Sequence, residues 1–173
     1  FGINLARLDI RQEADRHSKL LNELFKKKYN IKYNLLSEEE KIKLLNKLIK
    51  EKNYFVDRIK ITNKENKEVW NTFKQISKTP SECLGAYVIS MTSTASDILS
   101  VYFLQIQAKI KNFLRVVPLF ETLDDLKNAN SVMKNLFKLS WYRKMTSAKQ
   151  EVMIGYSDSS KDAGKLSASW HQY

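Results

Sequence analysis

Four short apolar runs recur along this chain, each followed by a polar corner and then a stretch of helical periodicity. That alternation restricts the fold more than any other feature. The runs occupy residues 2–10, 84–91, 114–120 and 152–154. The first leads to Arg11 and a helical pattern over 17–25. The second leads through 92–96 to a helix over 97–109, and the third to Glu121 and a helix over 123–137. The fourth runs into the polar turn 155–160, where Ser159 and Asp162 stand at the spacing of a capping box and Lys161 falls in the first turn. Parallel strands need crossovers of a dozen or more residues, which these segments supply. The predicted class is therefore α/β with a parallel sheet, and it is helix-rich. Between the first and second strands lies a purely helical region. Ser37-Glu-Glu-Glu40 opens an amphipathic helix to about Lys50, and 67–77 reads as another, ended before Pro80.

At 173 residues the chain is long enough for one domain with a real core. Its 43% hydrophobic content is that of a folded protein, not a disordered one. No apolar run approaches the roughly 18 residues of a membrane span, and no membrane partner is expected. The single cysteine, Cys83, has no partner for an internal disulfide and reads as a small packing residue, so the cytoplasm is the expected location. Of the net charge of +11, residues 19–78 carry most: 16 Lys and Arg against 8 Asp and Glu, a surplus of 8. These lysines alternate with Ile42, Leu44, Leu45, Leu48 and Ile49 at helical spacing, the pattern of solvated helix faces. The alternative is a patch for nucleic acid or an acidic surface, but no zinc-finger spacing or RNA-binding aromatic motif accompanies it, and no nucleic-acid partner is expected. The sequence opens on Phe1 with a strand-like pattern and closes inside a helical one, as a piece of a longer chain would.

The ends of the four strands carry Arg11, then Ser90-Met91-Thr92, then Glu121, then Asp158 with Lys161. In a parallel arrangement these residues converge on one rim, where ligands bind. Two carboxylates suit a hard divalent cation such as Mg2+ or Mn2+. Arginine offers a planar fork for phosphate or carboxylate. Together with a lysine, that is equipment for an anionic, phosphorylated substrate. Each residue also has a plainer role open to it. Arg11 could pair with Asp9 or Glu13. Glu121 could serve the helix start beside Asp124 and Asp125. Asp158 could shape its turn, and Lys161 could be solvated. His17, alone on a helix, reads as no ligand, and Trp141 and Trp170 read as packing residues.

The segments Arg7-Leu-Asp-Ile-Arg-Gln-Glu-Ala-Asp-Arg-His17, Ala86-Tyr-Val-Ile-Ser-Met91 with Ser96-Asp97, Val117-Pro-Leu-Phe-Glu-Thr-Leu-Asp-Asp-Leu126 and Val152-Met-Ile-Gly-Tyr-Ser-Asp-Ser-Ser-Lys-Asp-Ala-Gly164 closely resemble phosphoenolpyruvate carboxylase, in that family's order and near its spacing. The resemblance spans the chain, and is weak only over 26–67. It implies a large helix-rich enzyme built on a (β/α)8 barrel, a homotetramer that converts phosphoenolpyruvate and bicarbonate to oxaloacetate and phosphate. It implies Glu121 and Asp158 as ligands of Mg2+ or Mn2+, Arg11 as the phosphate-handling catalytic arginine and Lys161 as the active-site lysine. Residues 1–173 would then be a single partial-barrel segment with a helical insertion at about 26–80. Ala14 and Ala95 depart from the family's commoner Ser and Pro. The family's essential histidine belongs to a motif ahead of this segment and its glycine- and arginine-rich loop to one after it, so the chain alone is expected to be inactive. The other readings open to the sequence are a different metal-dependent barrel enzyme acting on pyruvate enolates, and a non-catalytic basic interaction module.

Overall fold

A computed structural model describes residues 6–155, 161, 164, 169 and 170. Four strands, β1 (Leu8–Glu13), β2 (Leu84–Ser90), β3 (Arg115–Phe120) and β4 (Met153–Ile154), form one sheet in the order β1-β2-β3-β4. Every neighbouring pair is parallel. The crossovers are helical: α1 (Ala14–Tyr29), α2 (Glu38–Glu51) and α3 (Lys64–Lys78) between β1 and β2, α4 (Ala95–Gln107) before β3, then α5 (Leu123–Phe137) and the short α6 (Ser140–Met145) before β4. The expected α/β class holds, with a strand order that never reverses. Sequence periodicity did not anticipate α6.

The helices start where their side chains can satisfy orphan backbone N–H groups. Ser37 and Glu40 form the expected capping box of α2, Asn63 accepts from Asn66 N at 3.0 Å to open α3, and Thr122 with Asp125 boxes α5. Helix α4 is buried at all thirteen of its positions. Its sequence is apolar around most of its circumference, and such a helix has to be enclosed. It lies between the sheet and α2, while α3 packs on α1, so the insertion forms a second layer over the first. Gln105 and Gln107 are polar inside this core, and both are satisfied. Gln105 accepts from Leu114 N at 2.7 Å, and Gln107 accepts from Phe55 N at 2.9 Å and donates to Asn53 O at 2.7 Å. Phe25, Phe55 and Phe103 pack ring against ring beside them.

The sheet has two differently populated faces. Tyr87, Ile89, Val116 and Phe120 join the large core under the helices, whereas Ala86, Val88, Val117 and Leu119 form a smaller cluster with Met153 on the opposite face. One irregularity sets this phase. Leu8 pairs with Leu84 but Ile10 with Tyr87, so β2 spends one extra residue there, a β-bulge. Asp9 plugs it, its Oδ1 accepting from Ala86 N at 2.7 Å. A β-carbon at Gly85 would stand 2.3 Å from the same oxygen, so any other residue there must displace the Asp9 carboxylate.

Two expectations change. The first strand lies later than the apolar run suggested, so Arg11 sits within β1 and not in the corner after it. The reason is that Leu8 to Glu13 alternates, with one face polar, and a half-polar strand reads like a corner. Trp170 is not a packing residue in these surroundings, being 77% exposed. Trp141 is partly buried and donates to Asn46 Oδ1 at 2.7 Å.

Candidate active site

Of the expected residues that the structure describes, Glu121 stands just beyond the carboxyl end of β3 and Arg11 lies within β1. Val117, Leu119 and Glu121 alternate onto one face of β3, as Asp9, Arg11 and Glu13 do on β1. Arg11 is level with Val88, which is level with Val117. Arg11 and Glu121 therefore share the face opposite the helices, Glu121 further toward the rim.

Arg11 is exposed and extends from β1 to β4, its Nη2 lying 3.5 Å from Met153 Sδ. In a flat sheet these strands would be three spacings apart, about 14 Å, and side chains standing upright on them would not meet. The contact therefore takes side chains leaning across the face, a curl of the sheet, or both. Among the described residues no carboxylate stands within ion-pair distance of Arg11. Asp9, the ion-pair partner that the spacing allowed, is committed to Ala86 N instead.

Glu121 is half-buried, and its surroundings fix it from both sides. From β2, Met91 N donates to its Oε2 at 3.3 Å; Met91 adopts φ 53°, a left-handed conformation uncommon for its residue type. From β4, Gly155 N donates to Phe120 O at 2.9 Å, and a β-carbon at Gly155 would come within 3.1 Å of Glu121 Cγ. The start of α5 does not need Glu121, because Thr122 and Asp125 cap it and Asp125 Oδ2 also accepts from Glu121 N at 3.3 Å. The carboxylate is left as a hard oxygen donor at a strand end, which fits Mg2+ or Mn2+. Asp158 lies outside the described residues, three positions beyond Gly155 in sequence, as do Ser159 and Asp162. Lys161 is helical and exposed. Among the described residues no group of three or more His, Cys, Asp or Glu side chains could hold a metal ion. A site of the kind that Mg2+ favours needs one or two carboxylates, with water and substrate oxygens completing the shell.

Of three polar groupings near the rim, two are not legible in the sequence. His17 is fully buried; its Nε2 lies 2.8 Å from Tyr87 OH, which donates to Gln12 Oε1 at 2.9 Å. Burial, helped by the neighbouring Arg16 charge, lowers the His17 pKa to about 3, so the ring is neutral. Its Nδ1 has no partner among the described residues. Glu38, the first residue of α2, crosses to the start of α4 and binds Ser96. Asp97 accepts from Thr94 N at 2.9 Å and Ser93 N at 3.2 Å, and burial nonetheless raises its pKa. The His17 and Glu38 contacts leave no trace in spacing, since their partners are brought in by tertiary packing, whereas Thr94 and Asp97 stand at the spacing of a capping box.

A hollow of about 390 Å3 lined by Tyr102, Phe113, Arg115, Met145 and Glu151 lies at the other end of the sheet, where β3 and β4 begin. Its Arg115–Glu151 ion pair is far from the strand ends that carry Glu121, and it is not the candidate site. No helix among the described residues is long and apolar enough to cross a membrane.

A sequentially ordered parallel sheet with a half-buried carboxylate at a strand's carboxyl end is an α/β build in which that edge is where ligands commonly bind. The family model described as phosphoenolpyruvate carboxylase matches residues 1–173. A phosphoenolpyruvate carboxylase of Medicago sativa is 47% identical over 100% of this chain and 18% of its own length. One from Edwardsiella ictaluri is 47% identical, with 20% of its length covered, and a C4 phosphoenolpyruvate carboxylase of Flaveria trinervia is 45% identical, with 18% covered. The chain belongs to the phosphoenolpyruvate carboxylase family. It spans about a fifth of the length of these curated relatives.

Proposed function

We propose that this chain is the segment of a phosphoenolpyruvate carboxylase that carries the metal ligands and the phosphoryl-binding arginine. The whole enzyme joins bicarbonate to phosphoenolpyruvate and releases oxaloacetate and phosphate. The observation that carries the reading is the seat of Glu121, wedged between Met91 and Gly155 at the end of β3, with Asp158 three residues further on. Glu121 and Asp158 would hold Mg2+ or Mn2+, which when bound supplies fixed positive charge to substrate oxygens. Arg11 presents its planar fork to the phosphoryl group and neutralises it. Lys161, helical beyond β4, adds a further cation.

The wholly parallel, unreversed strand order and the reach of Arg11 from β1 to β4 support a (β/α)8 barrel completed by strands outside this segment. Residues 1–173 then form one partial-barrel segment, with the insertion at about 26–80 as its outer layer. The complete protein is a cytoplasmic homotetramer by this reading. It uses neither nucleic acid nor membrane, and the 173-residue chain alone gives no turnover.

The test is Glu121→Gln and Asp158→Asn, each in the full-length enzyme, with Mn2+ binding followed by electron paramagnetic resonance and oxaloacetate by coupled assay. We expect weakened Mn2+ binding and a fall in kcat/KM of roughly a hundredfold or more. Unchanged binding and turnover in both variants would overturn the reading.

A further inference from the structure

We infer that Asp9 is a positioning residue that holds Arg11 on the substrate face of the sheet by plugging the bulge in β2. The inference rests on the reading of Arg11 as the phosphoryl-binding arginine. At the bulge, β1 advances from Leu8 to Ile10 while β2 advances from Leu84 to Tyr87. The extra residue leaves a backbone N–H of β2 without a strand partner, and Asp9 Oδ1 takes the N–H of Ala86 at 2.7 Å. Gly85 admits the carboxylate because a β-carbon there would stand 2.3 Å from that oxygen.

The bulge fixes which way β1 faces. Side chains alternate along a strand, so a slip of one residue against β2 turns Arg11 toward the helices and Ile10 and Gln12 away from them. Ile10 packs against the helix-side core and Gln12 accepts from Tyr87 OH on that same side, leaving Arg11 on the face it shares with Val88, Val117 and Met153. Asp9 pins the strand from the same face as Arg11, two residues before it. Its carboxylate touches backbone and forms no ion pair with Arg11, so it acts through register and not through charge.

The test uses the full-length carboxylase that carries this segment, with steady-state kinetics in phosphoenolpyruvate for Asp9→Ala, Asp9→Asn, Arg11→Ala and the double variant Asp9→Ala/Arg11→Ala. Asp9→Ala is expected to raise KM for phosphoenolpyruvate about tenfold, with a smaller change in kcat, because displacing the arginine by an ångström is enough. Asp9→Asn keeps the acceptor oxygen and stays within about twofold of the unmodified enzyme. In the double variant Asp9→Ala adds nothing beyond Arg11→Ala, as follows if it acts through that residue. Should Asp9→Ala not fold, Gly85→Ala displaces the same carboxylate with its charge intact and is expected to raise KM similarly. A silent Asp9→Ala, or one whose full factor persists on the Arg11→Ala background, overturns the positioning role while Arg11→Ala still raises KM. If Arg11→Ala itself leaves KM unchanged, the reading of Arg11 falls and the inference falls with it.

Discussion

Both carboxylate oxygens of Glu38 are taken by Ser96: Oε1 accepts the backbone N–H at 2.9 Å and Oε2 the hydroxyl at 2.7 Å. One residue of the helical insertion thereby satisfies the start of α4, the helix that follows β2. The contact couples the outer layer to the part of the fold that presents Met91 to Glu121. Burial raises the Glu38 pKa above its usual value, and the Ser96 hydrogen bonds only partly oppose it. A group with a raised folded pKa stabilises most below its ordinary value and loses that contribution as pH rises through the raised one. A neutral isostere should therefore serve at neutral pH. Glu38→Ala is expected to cost about 1–2 kcal/mol in urea unfolding, and Glu38→Gln less than half as much. Equal losses in the two variants would refute the cross-layer cap.

Gly155 lies against Glu121, and added bulk there must push the carboxylate. A β-carbon would meet Glu121 Cγ at 3.1 Å and its Cα at 3.3 Å. Gly155→Ala is expected to weaken Mn2+ binding in the full-length enzyme several-fold, and Gly155→Val by roughly tenfold or more, since ligand displacement on this scale spoils a metal site. A titration of activity against Mn2+ checks the order; affinity equal to that of the unmodified protein in the Val variant contradicts it.

His17 gives the fold an acid-sensitive core. Its folded pKa, about 3, lies below the 6.5 of a free imidazole, so on acidification the unfolded chain takes the proton first. Stability attributable to His17 is complete above pH 6.5 and is lost as pH falls toward 3, at about 1.4 kcal/mol per pH unit within the window. The difference in urea unfolding between the unmodified protein and His17→Gln, measured at pH 7, 6 and 5, should therefore shrink on acidification. A constant difference would show that the ring is charged or solvated.

The lysine-rich helices are expected to be electrostatically ordinary. Several of their cations pair one turn away: Lys19 with Asp15 at 2.6 Å, and Lys47 with Glu51 at 3.8 Å. Replacing Lys43 and Lys47 with Gln should leave kcat/KM for phosphoenolpyruvate within about twofold. Retention on heparin should be weak and lost at moderate salt. A large activity loss would return a functional role to that surface.

The parallel sheet and most helices were legible because apolar runs and helical spacing record burial directly. Helix α5 has the expected bounds, and the Ser37–Glu40 box stands where its spacing put it. Glu121 was legible as a strand-end carboxylate. What holds it was not, because neither the φ of Met91 nor the approach of Gly155 is a property of local sequence. The place of Arg11 was misjudged by a few residues for a related reason. Its strand has one polar face, which becomes interpretable only when the surface it confronts is known. Asp9 was weighed only as a charge beside Arg11, whereas its partner is a backbone amide 77 positions away.

Helix α4 carries a last consequence. With no side open to water, it has no stretch in which substitutions can accumulate harmlessly. A deep mutational scan should find α4 uniformly intolerant from end to end. Helix α3, buried only at Asn66, Val69, Trp70, Phe73 and Ile76, should alternate between permissive and forbidden positions with the helical repeat.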